Sequence, residues 1–211
     1  VQRVDALFYQ AECLSLAGAL AAAVSVYDRI VKQHAQAPQT VDAYYGLGIA
    51  YAELAQHENA AKTFDEFVKK FPKDERLDEC RLRNGAALTG LERHADAEKL
   101  YQQVQSVATS PYAEYALYQL ALCVQAQDKL PQAADLFESL PKRFPDGSYF
   151  GPALLSAGKC RFRAEQFPQA AADFTQVIAR KDAGADEAAW LLGRSLIRQA
   201  NPAGAVKVLD Q

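Results

Sequence analysis

YYGLGIAYAELAQHENAAKTFDEFVKKFP, residues 44–72, is the stretch whose reading decides the fold. Gly48 sits in the middle of an apolar helical run. Ala60 follows twelve residues later, Phe64 four beyond that, and Phe71-Pro72 closes the segment. The same order recurs along the chain. Residues aligned with Gly48 are Ala11, Gly85, Ala121, Gly158 and Gly193, in steps of 37, 37, 36, 37 and 35. Ala23, Ala97, Ala133, Ala170 and Ala205 align with Ala60, and Tyr27, Tyr101, Phe137, Phe174 and Leu209 with Phe64. Self-similarity at such a period is the signature of a helical-repeat array.

Packing explains the pattern. Two antiparallel helices approach closely where side chains are small, and the ring one turn later is expected to fill the space between neighbouring hairpins. One hairpin cannot bury its own apolar face, whereas a stack can. Proline is favoured in the first helical turn, and Pro111, Pro131, Pro152, Pro168 and Pro202 all fall at expected helix starts. Ser110 and Asn201 precede two of them as N-caps. Phe71-Pro72 and Phe144-Pro145 fall where second helices should stop.

Tyr44, Leu47, Gly48, Tyr51, Ala60, Phe64 and Pro72 resemble the tetratricopeptide signature at every spacing tested. The other copies match in part, with Arg161 in place of Tyr or Leu and Asn84 in place of Leu. The resemblance implies an all-α, right-handed solenoid of antiparallel hairpins. It covers residues 1–211 as a single array, with repeats at about 4–38, 41–74, 78–110, 111–147, 151–183 and 186–211, the last truncated. The period exceeds the usual length of about 34 residues. With the Phe-Pro endings, it resembles the subgroup found in bacterial cell-envelope proteins.

Composition narrows the function. A formal charge of −3 and a pI near 5.7 do not provide the clustered cations that nucleic-acid binding needs. No apolar run is long enough to span a bilayer. The chain has no methionine, starts at Val1 and ends at Gln211 inside an expected helix. It therefore reads as a fragment of a longer protein, with periplasm, cell envelope and cytoplasm all open as its location.

Cys13, Cys123 and Cys160 lie two residues after the aligned small residue, where other copies hold Ala50, Ala87 and Ser195. Cys80 stands where other copies have alanine. All four read as small packing residues rather than ligands or disulfides. His57 and His94 share one place at the turn between helices and read as turn residues. No nucleophile motif, phosphate loop or dinucleotide fingerprint is present. The expectation is no catalysis, no metal and no cofactor.

The resemblance implies that a protein or peptide partner lies on the concave face built from first helices. Six apolar residues in register form a ladder there: Phe8, Tyr45, Leu82, Tyr118, Leu155 and Trp190. Aromatics often dominate binding energy at interfaces. Flanking charges are sorted along the chain. Asp5, Glu12, Asp42, Glu53 and Glu79 come from the first copies, and Lys159, Arg163, Arg194 and Arg198 from the last. If all face inward, the groove is acidic at one end and basic at the other. The Lys/Asn clamp of related domains that capture chaperone tails is absent, since its asparagine place holds Glu12, Ile49, Ala86, Leu122, Lys159 and Arg194. The resulting expectation is a non-enzymatic scaffold gripping a peptide or helix. The alternative is an architectural spacer or oligomerisation module, with self-association through the terminal repeats.

Overall fold

A computed structural model describes residues 3–181 and 184–210. Among the described residues there are twelve helices and no strand. They are α1 Val4–Leu16, α2 Leu20–Gln33, α3 Thr40–Glu53, α4 His57–Lys70, α5 Leu77–Gly90, α6 His94–Ser106, α7 Ala113–Ala126, α8 Leu130–Arg143, α9 Phe150–Arg163, α10 Phe167–Arg180, α11 Ala185–Arg198 and α12 Pro202–Leu209. None of the described helices is long and apolar enough to cross a membrane. The chain forms two compact units, Val1–Val104 and Gln105–Gln211. In each, consecutive helices pack as hairpins and each hairpin packs on the next, α5 and α6 meeting where the Tyr101 ring faces Gly85. The fold is all-α helical repeat.

The register seen in sequence is the core. Ala23, Ala60, Ala97, Ala133 and Ala170 are completely buried, as are Phe64, Phe137 and Phe174. A Cβ added at Gly48 would stand 2.6 Å from the Phe64 ring, one at Gly85 2.8 Å from Tyr101, and one at Gly158 2.5 Å from Phe174. The ring therefore seats on the glycine of its own hairpin, which corrects the expectation that it fills the space between hairpins. Tyr27 does lie between hairpins as expected: a Cβ added at Gly46 of the following hairpin would stand 2.6 Å from its ring. The sixth copy departs from the rest, with Leu209 53% exposed.

A second register, silent in residue type, sets the turns inside the hairpins. Gly18, Ala55, Glu92, Asp128, Glu165 and Ala200 all have positive φ, between 55° and 73°. The next residue's N–H donates to the carbonyl five back in every case, as in Gln56 to Tyr51 at 2.9 Å and Asn201 to Leu196 at 2.9 Å. This is the helix-ending motif that favours glycine, yet only the first copy has one. A side chain in the left-handed region costs about 1–2 kcal/mol, against about 0.5–1 kcal/mol of extra entropy lost by glycine. Ala55→Gly and Ala200→Gly are each expected to raise stability by about 0.5–1 kcal/mol. Thermal melting of the variants checks this, and a lowered midpoint would contradict it.

Punctuation holds in part. Phe71 and Phe144 are the C-caps of α4 and α8. Asn201 caps α12, its side chain accepting from Gly204 N–H at 3.0 Å. Pro131, Pro168 and Pro202 lie in the first turns of α8, α10 and α12. Ser110 does not cap α7. Its Oγ accepts from Tyr112 N–H at 3.4 Å in a turn preceding the helix, and Tyr112 is the N-cap residue. Pro111 lies in that turn, outside α7.

Candidate partner-binding face

In the first unit the ladder residues sit on α1, α3 and α5. Phe8, Tyr45 and Leu82 are all half-buried. The Phe8 ring lies 6.3 Å from Tyr27, and Tyr45 meets Phe67 edge-on at 6.5 Å. The Tyr45 hydroxyl donates to Glu79 Oε1 at 2.8 Å. Burial first, then that bond to a carboxylate, pushes the Tyr45 phenol up to about 12. Phe8, Glu12, Tyr45, Ile49 and Glu53 share the wall of one cleft of about 360 Å³.

The acidic residues there are not a bare negative strip. Two arginines absent from the sequence-based expectation stand among them. Arg76 pairs with Asp42 at 2.8 Å and with both oxygens of Asp74 at 2.9 Å, and its guanidinium lies 5.1 Å above the Tyr45 ring. The Arg76 bond holds the Asp74 carboxyl below the usual carboxylate range. Arg83 pairs with Glu79 at 2.7 Å. Asp5 accepts from Gln39, and Glu12 accepts from the Tyr27 hydroxyl. Glu53 is exposed. The Glu79–Arg83 pair was legible as an i,i+4 spacing on a helix. The Arg76–Asp42 pair joins residues 34 apart, and no local spacing announces it.

In the second unit the ladder residues sit on α7, α9 and α11. Tyr118 and Leu155 are half-buried, and Trp190 is 53% exposed. Tyr118 packs edge-on against Phe137 at 5.6 Å and stacks on Tyr149 at 4.6 Å. Tyr149, from the loop before α9, is a further aromatic on this face that the register did not mark. Its phenol is raised by burial. Lys159 pairs with Glu187 at 2.7 Å, Arg163 with Asp128 at 2.8 Å, and Arg198 with Glu165 at 3.7 Å. The Arg194 guanidinium lies over two rings, 4.6 Å from Trp190 and 5.0 Å from Phe162. A second cleft, of about 1050 Å³, opens between α10, α11 and α12 beside Ile178, Leu192, Leu196 and Val208, and no ladder residue lines it.

Cys80, Cys123 and Cys160 are buried free thiols at the small-residue positions. Burial pushes Cys80 up to about 12 and Cys160 up to about 11, which keeps them protonated and weakly nucleophilic. Cys13 corrects the uniform packing expectation, because it is exposed. It lies on α1, and no described helix precedes α1 to cover that side. His57 and His94 open α4 and α6. Nothing in these positions assembles a nucleophile with a base.

Comparison with known proteins agrees with the geometry. Two family models described as tetratricopeptide repeat match the chain, one at residues 5–37, 42–74 and 115–147 and the other at 155–211. No curated protein sequence matches it. Among solved structures, a tetratricopeptide repeat protein from Parabacteroides merdae superposes with a TM-score of 0.71 at 12% identity, covering 98% of this chain and 77% of that one. YrrB, described as having an unusual peptide-binding site, gives 0.65 at 20% identity over 82% and 84%. Pseudomonas aeruginosa PilF gives 0.63 at 13% identity over 97% and 88%. These likenesses are of fold. With the buried repeat register and the matched segments together, the chain belongs to the tetratricopeptide repeat family, a family of protein–protein interaction scaffolds.

Proposed function

We propose that the chain is a scaffold that holds a peptide or helix of another protein on a face built from first helices. The observation that carries this reading is the state of the ladder. None of Phe8, Tyr45, Leu82, Tyr118, Leu155 and Trp190 is fully buried, while Leu7, Tyr44, Leu117 and Leu154, one position before four of them, are core. A spacer would have no need to leave six apolar side chains in register at the surface. Partly exposed aromatics backed by other rings are rigid anchors that lose little entropy on binding. YrrB supplies a structural neighbour whose description includes a peptide-binding site. The charges flanking the ladder, Glu12 and Glu53 on the first unit and Lys159, Arg163, Arg194 and Arg198 on the second, then act on encounter rate more than on affinity.

The test is capture of a partner from extracts of the source cells by the native chain and by a Tyr45→Ala, Tyr118→Ala, Trp190→Ala variant. Loss of the partner in the variant, with unchanged far-UV circular dichroism, is the expected result. Undiminished capture would move the binding surface elsewhere.

A further inference from the structure

Four cations stand on or beside the first-helix face of the second unit, and three are already engaged. Lys159, Arg163 and Arg198 each have a carboxylate within ion-pair distance. Arg194 has none among the described residues. Its guanidinium instead lies over the Trp190 and Phe162 rings, at 4.6 and 5.0 Å. A guanidinium is planar, and its N–H donors radiate from its edge. The two rings hold the group near them, and Arg194 is exposed, so its N–H donors are open to an acceptor. An immobilised fork loses less freedom when a carboxylate binds bidentately. The apolar neighbours are equally open: Trp190 is 53% exposed, and Ile197, one turn beyond Arg194 on α11, is 57% exposed.

We propose that Arg194, Trp190 and Phe162 form a recognition site for an acidic peptide segment, with an aspartate or glutamate carboxylate on the Arg194 edge and an adjacent leucine or phenylalanine on Trp190. This rests on the first-helix face being the partner-binding surface. It narrows the four cations to Arg194, which has no carboxylate within ion-pair distance among the described residues and lies beside two rings. Carboxylate fits the fork in geometry and charge, and each of the other cations already has a carboxylate within ion-pair distance, in Glu187, Asp128 and Glu165.

Trp190 is the chain's single tryptophan, so its emission reports on the site directly. The full chain is titrated with a synthetic peptide of alternating Asp and Leu, and with a counterpart carrying Lys for Asp. The acidic peptide is expected to change Trp190 emission saturably and to bind at least about tenfold more tightly than the lysine peptide at low salt. Added salt should narrow that gap. Arg194→Gln is expected to lose about tenfold in affinity for the acidic peptide. Arg194→Lys should lose several-fold despite its charge, because the fork is gone. Equal binding of the two peptides, unchanged affinity in Arg194→Gln, or no response to either peptide overturns the proposal. The broader scaffold reading fails separately, through undiminished partner capture by the triple alanine variant.

Discussion

Arg161→Met is expected to cost about 3–5 kcal/mol of stability, because it strands a buried carboxylate. Arg161 stands on α9 where the repeat signature has Tyr or Leu. Its side chain is 11% exposed, and that of Asp173 on α10 is 2% exposed. One guanidinium nitrogen donates to both Asp173 oxygens, at 2.7 and 2.8 Å, and the other donates to Glu138 on α8. The three helices are thus tied through one side chain. Burial pushes the Asp173 carboxyl up to about 6, against the opposing pull of Arg161. Its folded value therefore lies above its unfolded value of 3.8. The associated stability is fully present below about pH 4 and is lost as pH rises through about 6. Without Arg161 the carboxyl rises further, so the deficit of Arg161→Met is smaller at pH 5 than at pH 7.5. Adding Asp173→Leu removes the stranded charge and is expected to recover most of the loss. Denaturant unfolding of the native chain and both variants at the two pH values checks this. A single-variant loss below about 1 kcal/mol, or one independent of pH, would contradict it.

The second large effect lies at the glycine–ring contact. In an ordinary exposed helix, Gly→Ala gains about 1 kcal/mol. At Gly48 the sign reverses, because the new Cβ would stand 2.6 Å from a completely buried Phe64 ring. Gly48→Ala is expected to destabilise by about 1–3 kcal/mol, and Phe64→Ala by about 3–5 kcal/mol. Gly48→Ala combined with Phe64→Leu should cost less than the sum of the two single changes, since the smaller side chain makes room for the Cβ. Additive costs would mean that the two residues do not share one contact. The same contact recurs at Gly85 with Tyr101 and Gly158 with Phe174, so the repeat is defined by a fit rather than by hydrophobicity alone.

That fit was legible because it recurs. Gly48, Ala60 and Phe64 repeat in type as well as in place, and the buried core follows them. The hairpin turns repeat only in conformation. Ala55, Glu92, Asp128 and Glu165 share a positive φ with no residue preference to mark it. Arg161 was visible as a departure from the signature. Its partner Asp173 lies one turn beyond Ala170 on the opposing helix, a register offset that the pattern contains but that charge spacing along one helix does not reveal. Cys13 misled because equivalence within a repeat assumes a neighbour on both sides, which α1 lacks among the described helices. At the candidate face, the ladder was legible from periodicity. The charges around it were read one by one, so Arg76 and Arg83 were missed and the ion pairs of Lys159, Arg163 and Arg198 were not foreseen.

The most direct measurement of the central claim places a photo-crosslinking phenylalanine analogue singly at Phe8, Tyr118 and Trp190 on first helices, and at Gln132 and Gln169 on second helices. Irradiation of the chain bound to its partner is predicted to give adducts from the first three positions and none from the last two. Adducts confined to Gln132 and Gln169 would contradict a partner held on the first-helix faces.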